Sequence, residues 1–284
     1  MARLLTIARA SGPALVDVHA DGDHHRSVFT LAGPGAHDAA PGARSLALAV
    51  AEQCSIAGHE GEHPRFGALD VVPFVALGGT RVERKQAAEE ARAFGRWWAD
   101  EFAVPVFLYD DADPEHRDLP TARASGFRHR KPDFGPTEPH PRLGATAVGA
   151  RLPLVACNCV LVSRDVSVAR RIARDVRERN GGLRGVRALG FFLAESQRAQ
   201  VSMNLVDLEH TGVQDACLHV RALALGYGTD VAAVELVGLI PGRDLDRCTD
   251  DFLQWSGLDV ESAIEVRIAK GPRWWPGEPL PGPR

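Results

Sequence analysis

The sequence predicts an α/β protein, in its details α+β, built as two subdomains. Three observations carry this. Apolar runs of strand length alternate with segments of helical period along most of the 284 residues. The second half reads strand, helix, strand, strand, helix, strand, which is the split βαβ order of ferredoxin-like folds. The composition is globular, 45% hydrophobic and 25% charged, on a chain long enough for two ordinary domains. The expected layout is two ferredoxin-like βαββαβ-type subdomains, 1–135 and 136–248, with an extension over 249–284. A substrate cleft is expected between their sheets, because domain interfaces are common ligand sites.

In chain order, Arg3 to Ala10 counts as a short helix. Residues 14–19 and Ser27 to Leu31 form two strands joined by a polar turn, as in a hairpin. A helix rich in Ala and Leu runs from about Ala40 to Ile56, and Gly58 stops it. Leu69 to Leu77 is a buried strand. Thr80-x-x-Glu83 is a capping box that opens the next helix. There Ala87, Ala91, Phe94, Trp98 and Phe102 recur at helical spacing and form a core-facing stripe. Val104 to Tyr109 is the strand that closes this half.

Residues 110–145 show no periodicity and read as a linker or functional loop. Its basic cluster Arg128-His129-Arg130-Lys131 is either a solvated charge run or a landing site for anionic groups. Residues 150–162 then form one strand, and Ser163 caps a helix to about Arg179, ended by Asn180-Gly181-Gly182. Val186 to Leu193 and Gln200 to Leu208 are strands. Gly212 to Leu225 is a helix, Val231 to Ile240 the last strand, and 244–255 a short helix before an irregular Trp- and Pro-rich tail. Asn204 and Glu235 are polar residues on otherwise apolar strands. Each is either a satisfied hydrogen-bonding group of the core or part of a site.

A formal charge of −4 argues against nucleic acid or an anionic membrane as partner. No apolar run reaches the roughly 18 residues of a membrane span. Five scattered cysteines suit a reducing cytoplasm. Cys157 and Cys159 alternate along one strand, so both thiols point to one face and read as buried free thiols rather than a metal pair.

The densest chemistry lies in Gly58-His59-Glu60-Gly61-Glu62-His63-Pro64-Arg65-Phe66-Gly67-Ala68-Leu69-Asp70. His59-Glu60-x-x-His63 spells a zinc-protease motif, which needs both His on one helical face. Pro64 disfavours the helical region for His63, and Gly61 weakens a helix by roughly 1 kcal/mol. A strand-like run follows. No zinc is expected there.

The same stretch, from Gly61 to Asp70, resembles the glutamate formiminotransferase family, folate-dependent enzymes of histidine degradation and one-carbon metabolism. Further blocks support the resemblance: Asp21-x-Asp23-His24-x-Arg26-Ser27-Val28, Pro132 to Pro136, Gly144 to Arg151, Gln200 to Leu205 and Glu235 to Leu239. The resemblance implies transfer of a formimino group from N-formimino-L-glutamate to N5 of tetrahydrofolate, the co-substrate, without a metal. His63 matches the general base. Glu62, Arg65, Asp21 and Arg26 are the implied substrate-binding residues. The implied folate loop is Gly135, Pro136, Thr137, Glu138, Pro139, His140, Pro141, Arg142, Leu143 and Gly144. Arg65 serves either as a bidentate carboxylate ligand or as a salt bridge holding the turn.

Some features depart from the family pattern. An Asn is usual where His25 stands, some members carry an acid at His19, and a first strand with a Val-Pro-Asn-Phe-Ser-Glu-Gly-like segment has no match. Either the natural chain begins upstream of Met1, or the chain is a weakly active or non-catalytic folate-binding paralogue. In the second case its open sheet edge is covered by its own tail or by a second copy in a homodimer.

Overall fold

The computed structural model describes residues 6–8, 10–33, 37–58 and 65–270. Their contacts divide them into two units, one of residues up to 15 and 31–153, the other of 16–30 and 154–270. The chain is a mixed α/β protein with a sheet in each unit. No helix among the described residues is long and apolar enough to cross a membrane.

In the first unit, helix α1 (Ala39–Gln53) turns Leu46, Ala47, Val50 and Ala51 inward. Strand β3 (Val71–Val75) leads into α2 (Arg81–Phe102), and β4 (Val106–Asp110) follows. The predicted capping box is present. Thr80 Oγ1 accepts from the Glu83 N–H at 3.2 Å, and the Glu83 carboxylate accepts from the Thr80 N–H at 2.9 Å. The predicted stripe is buried at Ala91, Phe94 and Trp98, with Ala88 more inward than Ala87. Trp98 donates its indole N–H to Thr146 Oγ1 (2.9 Å), whose hydroxyl donates to the Leu69 carbonyl (2.8 Å). This relay satisfies polar atoms that burial would otherwise penalise.

The sheet of this unit differs from the expected βαββαβ pattern. Its order is β3-β5-β4, and both pairings are parallel. The central strand β5 (Thr146–Arg151) comes from sequence that the strand pattern assigned to the second half, and the expected boundary at 135 falls inside this unit. The expected single strand 150–162 is instead two, β5 and β6 (Val155–Leu161), separated at Pro153, which has no N–H for a ladder. Strand residues alternate between two cores. Val106, Leu108, Val148 and Ala150 face α2, while Tyr109 and Ala147 face Ala122 and the partly buried Phe66.

The segment read as a structureless loop contains helix α3 (Leu119–Ser125), capped by Asp118, whose carboxylate accepts from the Thr121 N–H at 3.0 Å. An ion-pair network holds the rest. Asp113, fully buried, takes a bidentate pair from Arg117 (2.7 and 2.9 Å) and lies 3.5 Å from Arg130. Arg130 also donates to Asp133 (2.6 Å) and to the Leu108 carbonyl (2.9 Å). Burial raises the Asp113 pKa, but the hydrogen bonds from Arg117 and Glu115 and the Arg130 charge outweigh it, so the carboxyl titrates below its ordinary range. Its stabilisation is therefore complete above the unfolded value of about 3.9 and is lost as pH falls through the lower folded value. Asp113→Ala leaves Arg130 with a buried partner removed and is expected to cost about 3 kcal/mol. Urea unfolding at neutral pH measures the loss, which should shrink in acid.

The second unit has the predicted ferredoxin-like order. β6 leads to α4 (Val166–Val176), then β7 (Val186–Leu193), β8 (Arg198–Leu205), α5 (Val213–Gly226) and β9 (Val231–Val237). The sheet order is β7-β8-β6-β9 with every neighbour antiparallel. The cap of α4 is Asp165, accepting from the Ser167 N–H at 2.8 Å, rather than the predicted Ser163. One sheet face packs Cys157, Cys159, Val201 and Met203 against Ile172 and Val176 of α4 and Cys217 and Val220 of α5. The neighbouring Cys217 thiol and burial push the Cys157 thiol well up, and Cys157 and Cys159 are both buried free cysteines, as predicted for the pair. Short helices α6 (Gly242–Leu245), α7 (Asp250–Ser256) and α8 (Ile264–Lys270) complete the unit.

Strands β1 (Leu15–Asp21) and β2 (Arg26–Leu31) form a separate two-stranded sheet, whose hairpin turn clusters with this second unit. Asp23 accepts from the Glu195 N–H at 3.0 Å, tying the turn to the β7–β8 connection. The hairpin lies against the face of the β7-β8-β6-β9 sheet opposite the one that packs α4 and α5.

Candidate active site

In the first unit, two blocks far apart in sequence meet. Gly67 and Gly144 form a backbone bridge. The Ala68 N–H donates to the Leu143 carbonyl and the Ala145 N–H to the Phe66 carbonyl, each at 3.0 Å. A Cβ on Gly67 would overlap the carbonyls of Leu143 and Ala145, and one on Gly144, which has φ +71°, would overlap that of Phe66. Only glycines allow this approach. Residues 66–68, near the end of the charged stretch, are thereby stitched to the loop 135–144.

The loop closes on itself through mutual hydrogen bonds between His140 and Gly144, at 2.9 and 2.8 Å. His140 Nδ1 accepts from the N–H groups of Arg142 (3.2 Å) and Leu143 (2.9 Å), which places the neutral ring's proton on Nε2. Gly135, Pro136, Thr137, Glu138, Pro139 and Pro141 are exposed, whereas Leu143 and Gly144 are buried. Arg142 turns its guanidinium back onto the carbonyls of Ala51, Glu52 and Cys54, where it completes the C-terminal end of α1.

His63 and Glu62 lie outside the described residues, as do His59 and Glu60 of the zinc-like motif. Arg65 is described and partly buried. Burial lowers its pKa, the Asp70 charge opposes this, and the Arg123 charge adds to it. Asp70 accepts from the Phe66 N–H at 2.6 Å and is ion-paired with Arg123 of α3. The Arg65 and Arg123 guanidinium groups thus both lie near the Asp70 carboxylate, in a basic and partly desolvated place. No sequence pattern pointed to Arg123, because its partner is 53 positions away. Within the basic cluster, Arg130 is turned inward to Asp113 and Asp133, while Arg128, His129 and Lys131 are exposed.

In the second unit, the sheet face without helices carries a polar network. Glu235 of β9 accepts from Asn158 Nδ2 of β6 at 2.9 Å, and Gln200 Nε2 of β8 lies 3.5 Å from the same oxygen. Asn158 and Gln200 are 4% and 1% exposed. Their placement could have been read from the same signal as Glu235, a polar residue on an apolar strand. Asn204 is exposed on this face. From the hairpin, His19 Nε2 stands 3.5 Å from Glu235 Oε1, and His24 Nε2 stands 3.1 Å from Gln200 Oε1. Asp21 accepts from the His24 N–H at 2.8 Å. Arg26 opens β2 and is partly buried. His25 has φ +47°, a region that Asn and His tolerate better than most residues, so the departure from the family's Asn keeps the turn geometry. Among the described residues, His19, Asp21 and Glu235 are a group whose ligand atoms lie within 4.8 Å of one another and could hold an ion.

These features define a two-subdomain α/β protein whose glycine-dependent loop and partly buried carboxylates suit small charged molecules. Family models give the class a name. "Formiminotransferase domain, N-terminal subdomain" matches residues 4–151, and "Formiminotransferase domain" matches 156–270. The chain is 35% identical over 277 residues to the glutamate formimidoyltransferase of Thermoplasma acidophilum, covering 93% of this chain and 90% of that one. It is 33% identical over 264 residues to the glutamate formimidoyltransferase of Streptococcus pyogenes serotype M1, covering 89% and 87%. The formimidoyltransferase-cyclodeaminase of Sus scrofa is 37% identical over 260 residues, 84% of this chain and 47% of that longer protein. The chain belongs to the formiminotransferase family.

Proposed function

We propose that this protein is a glutamate formimidoyltransferase, moving the formimino group of N-formimino-L-glutamate to N5 of tetrahydrofolate. The observation that supports this most is the Gly67–Gly144 junction, which sets residues 66–68, just after the Gly-Glu-His-Pro-Arg motif in sequence, against the loop that resembles the family's folate loop. Of that loop, residues 136–141 are the part offered to folate, since Leu143 is core and Arg142 holds α1.

The donor carbon is an amidine and is cationic when protonated. N5 attacks that carbon, and the His63 imidazole takes the N5 proton as the N5–C bond forms. The tetrahedral adduct then breaks its bond to the glutamate nitrogen, which receives the proton from His63. The products are glutamate and the N5-formimino folate. Arg65, beside Asp70 and Arg123, binds a carboxylate of the donor. Glu62, Asp21 and Arg26 hold the remainder, Glu62 either by orienting His63 or by pairing with the amidinium.

No redox change or Lewis acid is needed for this exchange, and a proline at 64 disfavours the helical conformation that a zinc site would require of residue 63. The purified protein is expected to hold no stoichiometric zinc. Elemental analysis with and without chelator checks this, and a tightly bound zinc whose removal abolishes turnover would contradict it. A cytoplasmic setting, with or without a second copy of the chain as partner, belongs to the same proposal.

Mixing the protein with tetrahydrofolate and N-formimino-L-glutamate and following the folate spectrum tests the activity. Turnover supports the transferase. Folate binding without turnover would identify a non-catalytic paralogue instead.

A further inference from the structure

We infer that Glu235, together with Asp21, seats the cationic amidine of the donor, and that Glu235 makes the protein prefer a formimino over a formyl group. The inference rests on the transferase reading and adds to it a residue that determines specificity.

The seat is built within the second unit. The Glu235 and Asp21 side chains are 16% and 18% exposed, and an oxygen of each lies within 4.8 Å of the other and of a His19 ring nitrogen. Each carboxylate is held from behind. Glu235 Oε2 faces the amides of Asn158 and Gln200, so Oε1 is directed toward His19. Asp21 Oδ1 is fixed by the His24 N–H, and its Oδ2 stands 3.9 Å from His24 Nε2. Asn158 and Gln200 are neutral, so they orient Glu235 without cancelling its charge.

Two carboxylates so close together and so little hydrated favour a cation between them. A planar amidinium with two N–H-bearing nitrogens meets that need, as a guanidinium meets a carboxylate. A formyl group makes a neutral amide that keeps one N–H donor, carries no charge and puts an acceptor oxygen where the amidinium has its second donor nitrogen. The same site therefore attracts one donor and repels the other.

Calorimetric titration of the full chain with N-formimino-L-glutamate and, separately, with N-formyl-L-glutamate measures the preference without depending on turnover. Glu235→Gln keeps size and an acceptor for Asn158 while removing the charge. It is expected to reduce the preference for the formimino ligand by about 10- to 100-fold, the loss of one charge-assisted hydrogen bond, with tetrahydrofolate affinity unchanged. Asp21→Asn should shift the preference in the same direction and serves if Glu235→Gln fails to fold. Asn158→Ala, which loosens Glu235 but keeps its charge, should shift it less.

An unchanged preference in a folded Glu235→Gln or Asp21→Asn protein would overturn the inference. So would a wild-type protein that binds neither donor, or a stoichiometric metal ion at these residues whose removal abolishes the preference. A wild-type protein that prefers the formimino ligand through Glu235 yet never transfers the group would leave the seat standing and sink only the transferase reading.

Discussion

His63→Ala is expected to lower formimino transfer by roughly 10²- to 10⁴-fold, the range for loss of a general base. The attacking N5 cannot keep its proton once it bonds to the amidine carbon, and the glutamate nitrogen cannot leave without gaining one. In the proposed mechanism a single imidazole serves both steps. Tetrahydrofolate should still bind, because backbone contacts to Phe66 and Ala68 hold the end of the loop 135–144. His59→Ala should cost much less, since it lies outside the Gly-Glu-His-Pro-Arg core of the motif. Steady-state rates of both variants, with folate titrations alongside, decide the assignment. Equal losses from the two changes, or a His63→Ala protein that no longer folds, would contradict it.

Gly144→Ala is expected to have the largest effect on stability. The residue has φ +71°, where a Cβ costs about 1–2 kcal/mol. The new methyl would also overlap the Phe66 carbonyl and crowd Gly67, adding an overpacking cost of roughly 1–3 kcal/mol. The total, roughly 2–5 kcal/mol, should lower the urea midpoint. In whatever protein remains folded, the motif should be parted from the folate loop, weakening tetrahydrofolate binding. Gly181→Ala provides the comparison. Its φ is +88° but a Cβ there meets nothing within 4 Å, so it should cost about 1 kcal/mol. Equal losses at the two positions would mean that the junction is not tightly packed.

What could be read from the sequence follows from how local each cause is. Thr80 and Glu83 meet three residues apart, so the capping box was legible and the structure has it. The βαββαβ order of the second unit was legible because each strand is long and bounded by turns. The first unit's sheet was not, because β5 inserts between two earlier strands and nothing in Thr146–Arg151 announces its partners. The helix cap at Asp165 was misplaced onto Ser163 for a different reason. Both residue types cap well, and only the backbone decides between them.

The same distinction governs the candidate site. The Gly61 to Asp70 stretch and the loop 135–144 each stood out, through the charge density of one and the family likeness of both. Their junction through Gly67 and Gly144 depends on contacts across 77 positions and had no local mark. Arg130 looked like part of a solvated basic run, yet it is only 7% exposed and bound to Asp113 and Asp133, because acidic partners on either side draw it inward. Arg142 likewise serves the end of α1, and Arg123 became visible only as the partner of Asp70.

The most direct measurement uses N-formimino-L-glutamate carrying carbon-13 in the formimino group, mixed with tetrahydrofolate and the protein and followed by NMR. The expected result is loss of the donor carbon signal, its reappearance on N5 of the folate, and release of glutamate in equal amount, all slowed together by His63→Ala. A label that stays on glutamate while the folate is bound would contradict the assignment of this chain as a transferase.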